Sequence, residues 1–160
     1  MEKYELYRIF LTSGLTILGG VLIFVVSQIV LKFVLEPIYD LNKLRGEIAY
    51  SLMFYANVYM DSFPSLAGFI TTNFGEDIKV RDNVQKIFRE QASLLCPKAS
   101  VIPWFKMWEL LKIVPRYRDI AEATTELIGL SNSIHDKGME FNKLRRDKIR
   151  KLLNIKIGPH

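Results

Sequence analysis

The chain is poor in the residues that carry chemistry. Its 160 residues include one cysteine, Cys96, and two histidines, His135 and His160. A single thiol excludes an internal disulfide, which points away from small secreted domains built on several bridges. One Cys and two His leave no ligand set for zinc. No glycine-rich loop follows a strand pattern and no Gly-x-Ser-x-Gly occurs, so the usual signatures of a phosphate cradle or a nucleophile elbow are missing. Cys96 precedes Pro97, and a buried thiol accounts for it more simply than a pair with His135 does. The acidic pairs Glu76/Asp77 and Glu122/Glu126 read as a helix cap and a solvated helix face. The expectation is a non-enzymatic chain with no cofactor and no metal.

Charge is also missing, in one place. The 23 residues from Ile9 to Leu31 carry none, with Arg8 and Lys32 standing at the two ends. A bilayer core of about 30 Å takes roughly 20 apolar residues at about 1.5 Å each. A secretory signal would have a basic start, an apolar run of only about 7–15 residues and a small-residue cleavage site. Here Glu2 and Glu5 offset Lys3, and the run is too long. The expected organisation is a short flank over 1–8 and a transmembrane helix within 9–35 that kinks or ends at Pro37. Lys3 and Arg8 face Lys32, Lys43 and Arg45 across it. The positive-inside rule then puts the N-terminus outside and the C-terminal domain in the cytoplasm.

The span has a texture. Thr12, Thr16 and Gly20 recur every four residues, and Ser13, Gly20 and Ser27 every seven. Small residues on one face let a second helix approach closely, so Thr12, Thr16, Gly20 and Ser27 are candidates for a helix–helix contact in lipid and a homo-oligomer. The bland alternative is that such residues are common in membrane helices. Gln28 is the strongly polar side chain inside.

Beyond the span the expected class is all-α: a small cytoplasmic bundle of four or five helices over 38–136, then a basic helix and tail over 137–160. Leu41, Leu44, Ile48, Leu52, Tyr55 and Tyr59 form one stripe at helical spacing, which Ala49, Met53 and Ala56 widen. Asp61 to Asp77 reads as a long loop containing Phe63, Phe69 and Phe74. Asp77 is placed to cap a helix with Val80, Val84, Ile87, Phe88 and Leu94/Leu95 inward, Lys79, Arg81, Lys86 and Arg89 outward, and Cys96-Pro97 at its end. Ser100–Val114 reads as a helix with Trp104, Trp108 and Leu111 on one face, the two tryptophans being core or partner aromatics. Arg116 to Ile134 and Met139 to Leu153 complete the set, the last packing through Met139, Leu144, Ile149, Leu152 and Leu153.

Basicity is confined to the tail. Residues 1–136 hold 14 Lys/Arg against 15 Asp/Glu, and residues 137–160 hold 8 against 2. Lys143, Arg145, Arg146, Lys148, Arg150 and Lys151 form the candidate basic surface. It suits anionic lipid, or a solvated helix face. Nucleic acid is the least favoured partner, because no aromatics interleave to stack bases.

The succession "LEPIYDLNKLRGEIAYSLMFYANVY", "IPWFKMWELLKIVP" and "ATTELIGLSNS" resembles a set of small, uncharacterised bacterial single-pass membrane proteins with a helical cytoplasmic domain. The resemblance covers most of the chain and carries no catalytic motif. It implies one N-terminal span in a bacterial inner membrane, a helical cytoplasmic domain and no assigned activity, and small membrane proteins of this layout occur among effectors of bacterial antiphage defence. With the small-residue face, the aromatic loop and the basic helix, the expected function is a membrane-anchored, oligomerising protein that disturbs the bilayer. The alternative is an anchor or scaffold that recruits a protein partner to the inner leaflet.

Overall fold

The computed structural model describes residues 2–60, 74–135 and 139–155, and every element among them is helical. A single helix runs from α1 (Glu2–Val30) through a π-helical turn (Leu31–Leu35) into α2 (Glu36–Phe54). After Tyr55 come the short α3 (Ala56–Met60), then α4 (Phe74–Ser100), α5 (Phe105–Leu110), α6 (Tyr117–Asn132), a 3₁₀ turn (Ser133–His135) and α7 (Met139–Leu152). The expected long loop lies outside the described residues over 61–73, as does the expected turn over 136–138. α4 already begins at Phe74, which puts Asp77 in its first turn rather than ahead of it.

The helix does not end at Pro37 but runs on through it. Proline has no N–H and its ring crowds the carbonyl four residues back. The turn ahead of it opens instead: the Glu36 N–H donates to the Leu31 carbonyl, five residues earlier. A wide π turn is a known way to carry a helix through such a site. Pro97 is likewise inside α4, in its last turns, where a missing donor breaks little; the helix runs on to Ser100.

The core lies between α2, α4 and α6, with α7 packed on α6. Ile38, Leu41, Leu44, Ile48 and Leu52 give α2 one buried stripe. Fully burying a Leu or Ile is worth about 1.5–3 kcal/mol, so this stripe fixes how α2 sits. The expected widening of the stripe is only partial. Met53 is exposed, as are Tyr50 and Phe54, whose rings stack at 5.3 Å. Val84, Phe88, Ala92, Leu95 and Ala99 face inward from α4, while Val80 and Leu94 face outward. Ile120, Ala123, Leu127, Leu130 and Ile134 complete the core.

α7 packs as expected through Ile149, half-buried Leu152 and the following Leu153, but Leu144 is exposed and Asn142 is buried instead. Asn142 is 2% exposed; its amide donates to the Tyr59 carbonyl (2.7 Å) and its oxygen accepts from Ser133 Oγ (2.5 Å). A buried polar group with both ends paired sets register more sharply than another leucine would. Replacing Asn142 by Ala takes the amide donor from the Tyr59 carbonyl, while the Ser133 hydroxyl keeps its bond to the Leu130 carbonyl (3.0 Å). An unsatisfied buried group costs about 1–3 kcal/mol. Asn142→Ala should therefore lower the thermal midpoint of the full chain in detergent, followed by circular dichroism, and exposed Asn132→Ala should lower it much less.

Candidate functional site

Three surfaces hold the residues singled out by the sequence: α1, the cationic side of α7, and the α5 segment.

α1 is one helix long and apolar enough to cross a membrane, near the N-terminus, and its most apolar stretch buries nothing against the rest of the chain. Thr12, Thr16, Gly20 and Ser27 fall within an arc of about 80° at 100° per residue. Their hydroxyls are satisfied inside the helix. Thr12 donates to the Arg8 and Ile9 carbonyls (2.8 and 3.0 Å), Thr16 to Thr12 (2.8 Å) and Ser27 to Ile23 (2.7 Å). The face therefore asks for no polar partner. A Cβ built on Gly19 or Gly20 would meet open space.

The six cations of α7 divide into two groups. Arg145, Arg146 and Arg150 are half-buried, whereas Lys143, Lys148 and Lys151 are exposed. Arg145 lies across α6 over the Gly129 backbone, where a Cβ would collide with its guanidinium, and 3.7 Å from Glu126. It also sits over the Phe141 ring at 5.6 Å. Lys148 bridges Glu122 and Glu126, both at 2.8 Å. Arg146 and Arg150 flank Asp147 at 2.8 and 3.7 Å. Beside them a cleft of about 840 Å³ is lined by Met60, Lys143, Arg146, Asp147, Arg150 and Lys151, among others. Arg145 and Lys148 thus bind α7 to α6, while Lys143 and Lys151, which pair with no acid among the described residues, line this cleft. Sequence reasoning assigned Glu122/Glu126 to a solvated face; their spacing of four matches the cation across the interface.

Trp104 and Trp108 do not share a face. Trp104 has left-handed backbone (φ 49°) and is exposed, while Trp108 is half-buried and donates its ring N–H to the Pro103 carbonyl (3.0 Å). The expected helix over 100–114 is reduced to six residues because both of its ends reverse. Lys112 is also left-handed (φ 58°), with its N–H on the Glu109 carbonyl and the Ile113 N–H on Trp108. That pair of bonds is the Schellman stop, usually built on glycine. Asn154 ends α7 the same way, with φ 52° and bonds to Lys151 and, from Ile155, to Arg150.

Two arginines missed by sequence reasoning hold the frame. Arg81, expected outward, donates to the carbonyls of Val58 (3.0 Å) and Ile134 (2.9 Å). Arg45 donates to the Leu153 carbonyl from Nε (2.9 Å) and Nη2 (2.5 Å), at the negative end of α7. Burial pushes its guanidinium below the usual arginine range, yet arginine stays charged. Burial pushes the Tyr59 hydroxyl up to about 12, so it remains a donor to the Leu52 carbonyl at 2.5 Å. Among the described residues no group of His, Cys, Asp and Glu could hold a metal ion. Comparison with protein-family models, with curated proteins and with solved structures gives no match to this chain.

The α6–α7 bridge has a pH signature. The hydrogen bond and charge of Lys148 hold the Glu122 carboxyl below its ordinary value of 4.5, and Glu122 with Glu126 holds Lys148 above 10.5. The glutamate contribution is complete above its ordinary value and is lost as pH falls through the lower folded value; the lysine contribution is present below its ordinary value and is lost as pH rises through the higher one. Glu122→Gln should therefore flatten the stability profile on the acid side. The measurement is the thermal midpoint at about pH 6 and about pH 3, where the wild type should fall further than the variant.

Proposed function

We propose that this is a single-pass membrane protein, with its N-terminus outside and its helical bundle at the inner face of a bacterial membrane. It acts without enzymatic chemistry, self-associates, and serves as an effector that disturbs the bilayer, in keeping with a layout that also occurs among antiphage defence effectors. One observation carries the reading: the apolar half of the α1–α2 helix is wholly uncovered, while its other half is the first wall of the core. In water such a surface would aggregate. In lipid it needs no cover, because every backbone group of a helix is bonded within it. The unbroken helix also ties any movement of the bundle to the span.

A second reading, an anchor or scaffold for a protein partner, draws on the stacked Tyr50/Phe54 pair and Met53, an apolar patch at the end of α2 that nothing among the described residues covers. The two readings differ in what the span does. An alkaline wash should leave the protein in the membrane, and protease added outside intact cells should spare the bundle. Digestion of the bundle would reverse the orientation. Expression with a voltage-sensitive dye separates the functions: depolarisation that needs the span supports the effector, and an unchanged potential supports the scaffold.

Self-association has its own test. Gly20→Leu should hold two α1 helices apart and reduce cross-linked dimer in native membranes. Gly19→Leu, about 100° around the helix, should do so less. Contacts in lipid are worth only about 1 kcal/mol each, so the expected drop is about fivefold and not complete. A chain that stays monomeric at every expression level rules this association out.

A further inference from the structure

We propose that the α5 segment is a second membrane contact, an interfacial wedge that lies in the headgroup layer of the same bilayer that α1 crosses and rests on anionic lipid phosphates. The proposal builds on the membrane-anchored reading above.

Its first support is position. α4 runs antiparallel to α2: Gln91 meets Ser51 (2.7 Å) and, further along, Lys98 meets Asp40 (2.8 Å). α6 then runs back along α4, with Cys96 at Thr124 (3.5 Å) and Arg89 at Asn132 (2.8 Å). The connection between them, which contains α5, therefore lies at the end of the bundle where α1 enters. That end reaches far down. Ile38 is buried and Val34 packs against the core. Val34 is three residues past Leu31, about 5 Å along the helix, and the headgroup layer on each side of the hydrocarbon is about 5–7 Å deep.

The second support is composition at that place. Trp104 is 71% exposed and Leu110 83% exposed, and Val101, Met107, Leu111 and Ile113 are exposed beside them. A cluster this apolar on a bundle's end is uncommon without a function. Lys106, Lys112 and Arg116 are interleaved with it and line, together with Arg45, Glu109 and Asp119, a cleft of about 1010 Å³. Tryptophan at headgroup depth, apolar residues beneath and lysines reaching phosphate is the pattern of a monotopic membrane contact. The left-handed residues Trp104 and Lys112, one at each end of α5, turn the chain there, while Phe105 and Trp108 pack the segment against the core. Lipid, rather than a second copy, is the occupant the charge favours, since two copies would bring Lys106, Lys112 and Arg116 together.

The two tryptophans allow a direct test on the full chain. In Trp108→Phe, Trp104 is the sole indole. Reconstituted in phosphatidylcholine/phosphatidylglycerol vesicles, this variant should float with the lipid, emit to the blue and be quenched strongly by acyl chains brominated near the headgroup. Trp104→Phe, which leaves half-buried Trp108, should be quenched several-fold less. Should Trp108→Phe fail to fold, the loss of quenching between wild type and Trp104→Phe reads the same quantity. A chain that floats while Trp104 emits to the red, unquenched, overturns the wedge and keeps the span. Blue emission without lipid quenching assigns the surface to a second copy and also overturns the wedge. A chain that does not float removes the anchored reading and the wedge with it.

Discussion

The helix that starts at Glu2 is still one helix at Phe54, and it must satisfy two surroundings along that length. From Ile9 to Leu31 it is uncharged on every side, its second half is apolar on one stripe, and the change occurs within the few residues from Leu31 to Ile38. Pro37 falls just past the uncharged stretch. There the missing N–H and the crowded carbonyl are absorbed by the π turn. If α1 crosses a bilayer as proposed, that turn falls at its boundary, where water and headgroups can serve a weakened carbonyl. The same proline in the middle of α1 would then leave an unsatisfied group in hydrocarbon, at a cost of several kcal/mol.

The bundle on that stem is closed by side chains that finish the ends of neighbouring helices. The last carbonyls of any helix lack partners within it. Tyr59 serves Leu52 at the end of α2, Arg81 and Asn142 serve Val58 and Tyr59 in α3, Arg81 also serves Ile134 in the 3₁₀ turn, and Arg45 serves Leu153 after α7. Each tie joins elements distant in sequence or orders a corner between them. Together with the apolar stripes they account for α7 packing through Asn142 and Ile149 and leaving Leu144 outside. A leucine there gains burial, but it cannot supply the donor that the α3 carbonyl needs.

This explains what could be read from the sequence. The α1 stretch, the α2 stripe and the extent of α6 were legible because each depends on the pattern within one helix. α5 was not, since Trp104, Trp108 and Leu111 keep helical spacing while Trp104 and Lys112 adopt left-handed backbone that no glycine advertises. The end of α4 was misjudged because proline signals a stop, yet near a helix end it removes few bonds. Of the candidate surfaces, the small-residue face was legible as a pattern, and the charge excess of α7 as a sum. Which cations are spent on Glu122, Glu126 and Asp147 depends on the fold, as do the inward turn of Arg81 and the role of Arg45.

The π turn also fixes a direction. Closing a turn from residue i to i+5 places one more residue in the helix than an α turn would, so everything beyond it is rotated by about 100° relative to an uninterrupted α-helix. The stripe from Ile38 to Leu52 sets how α2 faces the core, and through this rotation it sets which way Thr12, Thr16, Gly20 and Ser27 look relative to α4, α6 and α7. If two copies meet through that face, their bundles are held in one mutual orientation. α5 contributes the other half of the constraint. On the proposed reading, a stem through the bilayer and a wedge on its surface would hold the bundle at two points, and turning about the stem would have to carry α5 with it. An effector that acts by rearranging spans would have to lift that wedge or turn with it through the headgroups, and this couples the state of the bundle to the lipid around it.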